Sequence, residues 1–243
     1  IFYCYIIVPF NYNLIITVII IFININIIMS NLPYNQDYVV IGKDFIDNID
    51  PLSIDINIIP KHIVLFYNEL ELVPNKVFDK WRIMAKGYKI IFFSFKDAAY
   101  FLEKCYNKDY KTYFNKTTYA AHKSDFFRIC FLYKYGGIYS DIDNEPLITI
   151  DQYANPYDNI TFMTALSLNN NSFAQALIMS TRKNPCLKCG LDEYINIYTK
   201  FENSGTCSEN YDGNDLAGTR IMHRTIVKLL SDNKSIKNNI IRP

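Results

Sequence analysis

The densest apolar pattern in the chain runs from Ala120 to Tyr135, without Gly or Pro, and predicts about four helical turns at ~3.6 residues per turn. Asp125 and Arg128 are three apart and share a face of that helix. Gly136 and Gly137 supply the permissive backbone that ends it. The pattern then switches to the alternation of a strand over Ile138 to Asp143. Ile138, Ser140 and Ile142 point one way, and Tyr139, Asp141 and Asp143 the other.

On either side the periods alternate. A β-rich run follows Pro60 and ends in Tyr67, with His62 read as a surface residue at its start. Pro74 to Met84 has Val77, Trp81 and Met84 at helical spacing, which makes the only Trp a core residue. Lys89 to Ser94 predicts a buried strand and Asp97 to Tyr106 a helix, with Tyr110 to Tyr119 a solvated Lys- and Tyr-rich loop. Further on, Thr161 to Ser167 predicts a strand, Ser172 caps a helix running to about Thr181, and a last helix spans about Arg220 to Leu230. Strands alternating with helices predict an α/β fold with a mainly parallel, Rossmann-like sheet. Ligands then bind beyond the carboxyl ends of the strands, where Asp141 and Asp143 fall.

Residues 1–28 differ from the rest. Leu14 to Ile28 is nearly all Ile, Val and Phe, no Lys or Arg precedes Lys43, and the first Met is Met29. The segment reads either as a membrane anchor or as a translated upstream region, and the protein as membrane-associated in the first case and cytoplasmic in the second. Residues 29–57 read as a linker with at most one short element, and 58–243 as the folded domain.

Composition narrows the chemistry. Of 243 residues, 50% are hydrophobic and 16% aromatic, and the net charge is +1, so no electrostatic footprint for nucleic acid is present. Cys186-x-x-Cys189 lacks the second pair that a zinc ribbon needs, with only Cys207 following it. Asp141 and Asp143 remain. Two carboxylates one residue apart are hard oxygen ligands for Mn2+ or Mg2+, and through the ion for a nucleotide diphosphate; alternatively they are the solvated face of an edge strand. A calcium-stabilised structural domain using Asp141, Asp143 and Glu145 is a poor reading, since Pro146 stands where an EF-hand loop requires Gly.

Ser124-Asp125, Arg128, Leu132-Tyr133, Gly136-Gly137-Ile138-Tyr139 and Asp141-Ile142-Asp143, in that order and spacing, resemble glycosyltransferase family 32. They resemble more distantly the catalytic domains of the large clostridial glucosylating toxins. The resemblance implies a GT-A fold, the nucleotide-diphospho-sugar transferase class. It also implies a UDP- or GDP-sugar donor, a glycan, lipid or protein acceptor, Mn2+ or Mg2+, and retention of anomeric configuration. By the same resemblance Asp125 and Arg128 hold donor sugar hydroxyls, Tyr139 lies near the nucleotide, and Asp141 and Asp143 bind the metal and diphosphate. Ile59-Pro60-Lys61 resembles the family's opening strand, and Tyr67 falls where that strand carries a Trp that stacks on the base. The turn at Asn169 to Asn171, the pair Asn184-Pro185 and the Gly218-Thr219 step resemble family blocks on the acceptor and donor sides. A family block with His residues and a terminal Ser-Trp has no counterpart before Pro243, so the alternatives are a non-catalytic nucleotide-sugar-binding module or an inactive truncated transferase.

Overall fold

The computed structural model describes residues 39–154, 160–167, 172–203 and 218–232. Residues 1–28, Cys4, Cys207, the Asn169–Asn171 turn and the loop around Asp212 lie outside the described residues.

In the described residues the chain runs β1 (Val39–Ile41), α1 (Gly42–Asn48), β2 (His62–Phe66), α2 (Asn75–Met84), β3 (Lys89–Phe93), α3 (Phe95–Cys105), α4 (Lys108–Lys116) and α5 (Ala120–Tyr135). It continues with β4 (Gly137–Asp141), α6 (Ile150–Ala154), β5 (Phe162–Ser167), β6 (Ser172–Ser180), α7 (Pro185–Asn203) and α8 (Gly218–Asp232). The strands form one sheet in the order β1-β3-β2-β4-β6-β5. The first four in that order are parallel, while β6 is antiparallel to β4 and β5 antiparallel to β6.

The continuous apolar runs become central strands because both faces of the sheet are covered. Val64, Phe66, Ile91 and Phe93 face one core, shared with α1, α3, α5, α7 and α8. Ile63, Leu65, Ile90 and Phe92 face the other, where Phe78 and Trp81 of α2 close over them. Helix α5 lies inside the larger core and is buried almost all round, as its lack of a polar stripe requires. Phe127 alone packs against Phe66 at 4.8 Å and Phe93 at 4.9 Å between ring centroids. A fully buried phenylalanine of this kind contributes about 2–3 kcal/mol.

At the end of α5 the Gly136 N–H closes the helix onto Leu132 O at 2.8 Å. Gly136 has φ 70° and Gly137 φ 100°, a region that L side chains rarely enter. A Cβ on Gly137 would also sit 2.3 Å from the His62 ring. His62 is therefore buried and not a surface residue: its Nε2–H donates to Gly136 O at 2.9 Å, and Phe45 and Phe131 meet it edge-on.

Three other elements differ from expectation. Ser172 to Ser180 is strand and not helix, because pairing with both β4 and β5 overrides the helix preference of its Ala, Leu and Met residues. Lys108 to Lys116 is helix and not loop: the Asn107 side chain accepts from Asp109 N and Tyr110 N, and Phe114 is buried beneath it. The stretch expected to be linker carries β1, which pairs with β3, and α1, whose Phe45 and Ile46 are buried. Among the described residues no helix is long and apolar enough to cross a membrane.

Candidate functional site

Strand β4 ends at Asp141, and Ile142 and Asp143 turn the chain away, with Asn144 N–H donating to Asp141 O at 3.1 Å. The expected strand thus stops two residues early. Tyr139 and Asp141 still share a side, because the Tyr139 hydroxyl donates to Asp141 Oδ1 at 3.1 Å. Asn144 fastens the turn to the sheet, donating from Nδ2 to Ala176 O at 2.6 Å and to Ser140 Oγ at 3.2 Å. Farther along the loop, Glu145 pairs with Lys80 of α2.

Behind Asp141 stands Arg128, 4% exposed, with its fork fully engaged. Nη2 lies 3.0 Å from Asp141 Oδ1 and 3.2 Å from Asp125 Oδ1, and also donates to Ser124 Oγ at 2.7 Å. Nε donates to Ser124 O at 3.2 Å, and Nη1 to the main-chain oxygen of Gln175 on β6. The guanidinium lies 4.5 Å above the Tyr139 ring, which is 0% exposed. Since the single Tyr139 proton goes to Asp141, the 2.6 Å contact between Ser124 Oγ and Tyr139 is donated by the serine. Ser124, Tyr139 and Arg128 thus form one closed network behind Asp141.

The charges respond accordingly. Burial works to lower the Arg128 pKa, but Tyr139, Asp125 and Asp141 outweigh it and hold the guanidinium more firmly protonated than usual. Burial raises the Asp141 carboxyl above the ordinary range against the pull of Arg128, with Asp125 and Asp143 adding to the rise. Burial likewise raises the Tyr139 phenol, so it stays a donor at neutral pH.

The six residues singled out by sequence occupy four positions. Tyr67 follows β2, beside the end of β4 since Phe66 pairs with Asp141, and the residue is 41% exposed. Asp141 and Asp143 are at the carboxyl edge, Asp143 exposed and without an ion pair or hydrogen bond to another described residue. Arg128 and Tyr139 are turned inward behind them. Asp125 stands between, its side chain 14% exposed, with Oδ1 on Arg128 and Oδ2 accepting from Gly218 N at 2.9 Å. Gln175 and Asn144 were not singled out; a lone Gln in an apolar run was the signal for the first, and the second had none.

The donor set fits a divalent ion. Asp141 Oδ1 is engaged by Arg128 and Tyr139, which leaves Oδ2, and Asp143 adds a second carboxylate. No group of three His, Cys, Asp or Glu side chains suited to an ion occurs among the described residues. Two carboxylates suit Mn2+ or Mg2+, ions that complete their shells with phosphate and water.

Residues 25–161, more than half of the chain, match the family described as glycosyltransferase sugar-binding region containing DXD motif. The chain belongs to this family. Asp141-Ile142-Asp143 is the Asp-x-Asp sequence within the matched stretch, and the six-stranded, mostly parallel sheet with helices on both faces is the expected α/β architecture. The protein is a glycosyltransferase. Among solved structures the chain is similar to PaToxG glycosyltransferase, with 13% identity and a TM-score of 0.46 over 92% of this chain and 84% of that one. No curated protein matches the chain. Cys105, Cys130, Cys186 and Cys189 of the glycosyltransferase are free thiols, the last two near the start of α7.

Proposed function

We propose that this glycosyltransferase moves a hexose from a UDP- or GDP-sugar to a hydroxyl of a glycan, lipid or protein, with retention of anomeric configuration and with Mn2+ or Mg2+ held by Asp141 and Asp143. The observation that carries the reading is the state of Asp141. One oxygen is fixed from behind by Arg128 and Tyr139, the other has no partner among the described residues, and exposed Asp143 follows on a pinned turn. Such a pair is preorganised for a charged ligand arriving at the carboxyl edge.

A divalent ion there supplies positive charge against the diphosphate leaving group. The chain's own residues do the rest. Arg128 adds a permanent positive charge behind Asp141 and opposes the rise that burial imposes on that carboxyl. Tyr139 and Ser124 hold the orientation of Asp141 and meet the donor only through it. Asp125 has lone pairs beyond those used by Arg128 and Gly218 for a sugar hydroxyl, and the exposed Tyr67 ring offers a stacking face for the base.

Thermal unfolding with UDP and with GDP, each with and without Mn2+, tests the proposal. A nucleotide at ~100 times its dissociation constant stabilises by about 2.7 kcal/mol. Metal-dependent stabilisation by one of the two supports the reading and identifies the base, whereas no response to either removes it.

A further inference from the structure

The start of α8 and one residue of β6 belong to the same charged network, although no motif points to them. Gln175 is 2% exposed. Its main-chain oxygen accepts from Arg128 Nη1, and its side-chain Nε2 donates to Gly218 O at 2.6 Å. Gly218 N in turn donates to Asp125 Oδ2 at 2.9 Å, a charge-assisted bond at the positive end of the helix. A Cβ on Gly218 would fall 2.5 Å from both Asp125 Cγ and Gln175 Oε1. Gly218 does not have positive φ, so the position demands glycine for space and not for backbone freedom. Gln175 Oε1 is itself buried without a hydrogen-bond partner among the described residues, where the bond to Gly218 is what orients the amide.

We infer that Gly218 and Gln175 are positioning residues for the donor site, which seat the amino end of α8 on Asp125 and thereby aim Arg128 at Asp141. This rests on the reading of Asp141 and Asp143 as the donor end. The coupling follows from shared anchorage: Arg128 Nη2 is held between Ser124 Oγ, Asp125 Oδ1 and Asp141 Oδ1. When Asp125 moves, the guanidinium loses an anchor and its bond to Asp141 loosens with it. A direct chain of bonds thus joins the start of α8 to the DXD strand.

The test is Gly218→Ala. Alanine is the better helix former, so the helix by itself gains from the change, while the added methyl displaces Asp125. Hydrogen exchange of the peptide spanning Ser140 to Asn144, measured without any ligand, is expected to be about tenfold faster in Gly218→Ala and in Asp125→Asn, and no faster in the double variant. Unchanged exchange in Gly218→Ala, or effects that multiply in the double variant, overturns the inference. Should Gly218→Ala fail to fold, Gln175→Leu breaks the Nε2 bond and keeps the main-chain bond to Arg128. Faster exchange in that variant then supports the coupling, and unchanged exchange overturns it. Nucleotide binding separates this inference from the function proposed above. In the parent with Mn2+ and UDP or GDP, a response together with unchanged exchange in the variant removes the coupling and leaves the donor reading. No response from the parent, with faster exchange in the variant, removes the donor reading and leaves the coupling of α8 to Asp141.

Discussion

The two ends of β4 solve opposite problems only a few residues apart. At the amino end, Gly137 lies so close to His62, and Gly136 to Arg182 N and Ser180 O, that no side chain fits at either, and the buried imidazole is satisfied by one carbonyl. At the carboxyl end, Asp141 is buried on one side and open on the other, with a buried guanidinium as its counter-charge. The first end is neutral and close-packed, so it carries stability. The second holds charge in a half-dry setting, where it interacts strongly with an incoming ligand. The difference teaches which glycines and which polar groups of this chain serve the fold and which serve the chemistry.

The largest effect is expected from Gly137→Ala. It combines backbone strain at φ 100° with a methyl 2.3 Å from His62, and should cost about 5 kcal/mol in chemical denaturation. A loss under about 1 kcal/mol would mean that the turn relaxes freely and that the close packing of this end is not real. Next comes Arg128→Met, which leaves Asp125 and Asp141 without their cation and should cost about 4 kcal/mol. Unlike Gly137→Ala, it should also abolish metal-dependent nucleotide stabilisation. Arg128→Lys is expected to fall between the parent and Arg128→Met, since one ammonium cannot meet Ser124 O, Gln175 O and two carboxylates together. If Arg128→Met unfolds no more easily than the parent, the guanidinium is not the buried counter-charge on which Asp125 and Asp141 depend, and the comparison fails.

How much of this could be read in advance depended on whether the cause was local. The change of period across Gly136 and Gly137 locates α5 and β4, and the runs around Val64 and Ile91 are of strand length and apolar throughout, so both were legible. Helix α4 was not, because its composition is Lys- and Tyr-rich and it is held by the Asn107 cap and by burial of Phe114. Strand β6 was not legible either, since its Ala, Leu and Met residues are strand-forming only between β4 and β5. In the site, the charged residues of the DXD region were legible by type and spacing. That Arg128 and Tyr139 face inward, and that Asp125 bonds Gly218 across 93 residues of sequence, depends on how distant elements pack. The burial of His62 has the same origin, since Gly137 makes room for it from a neighbouring strand.

Acid should separate the two ends further. Burial is the main cause that lowers the His62 pKa from 6.5 to about 4, with Lys89 acting in the same direction and the Gly136 carbonyl opposing. Phe45 and Phe131, which meet the ring edge-on, are uncharged. The unfolded chain therefore takes up a proton at this residue more readily than the folded one. Its contribution to stability is present above pH 6.5 and is lost as pH falls towards 4, by about 3 kcal/mol in all. His62→Gln should flatten that part of the pH profile, and an unaltered acid slope in this variant would place the cause elsewhere.

The smallest expected change in stability accompanies the largest expected loss of ligand response. Asp143 is exposed on the turn and has no ion pair with another described residue, so Asp143→Ala should alter unfolding by no more than about 0.5 kcal/mol. The Asn144 bonds to Ala176 O and Ser140 Oγ remain to hold the turn in place. Stabilisation by nucleotide with Mn2+ should nevertheless disappear, because one of two carboxylates available to the ion is gone while Asp141 Oδ1 stays committed to Arg128 and Tyr139. Titration of Mn2+ against the unfolding temperature at fixed UDP or GDP reads this directly. A variant that keeps the parent's metal dependence would remove Asp143 from the ion and leave Asp141 to hold it with phosphate and water alone. One that also loses several kcal/mol of stability would show that this end of β4, like the other, is a structural device.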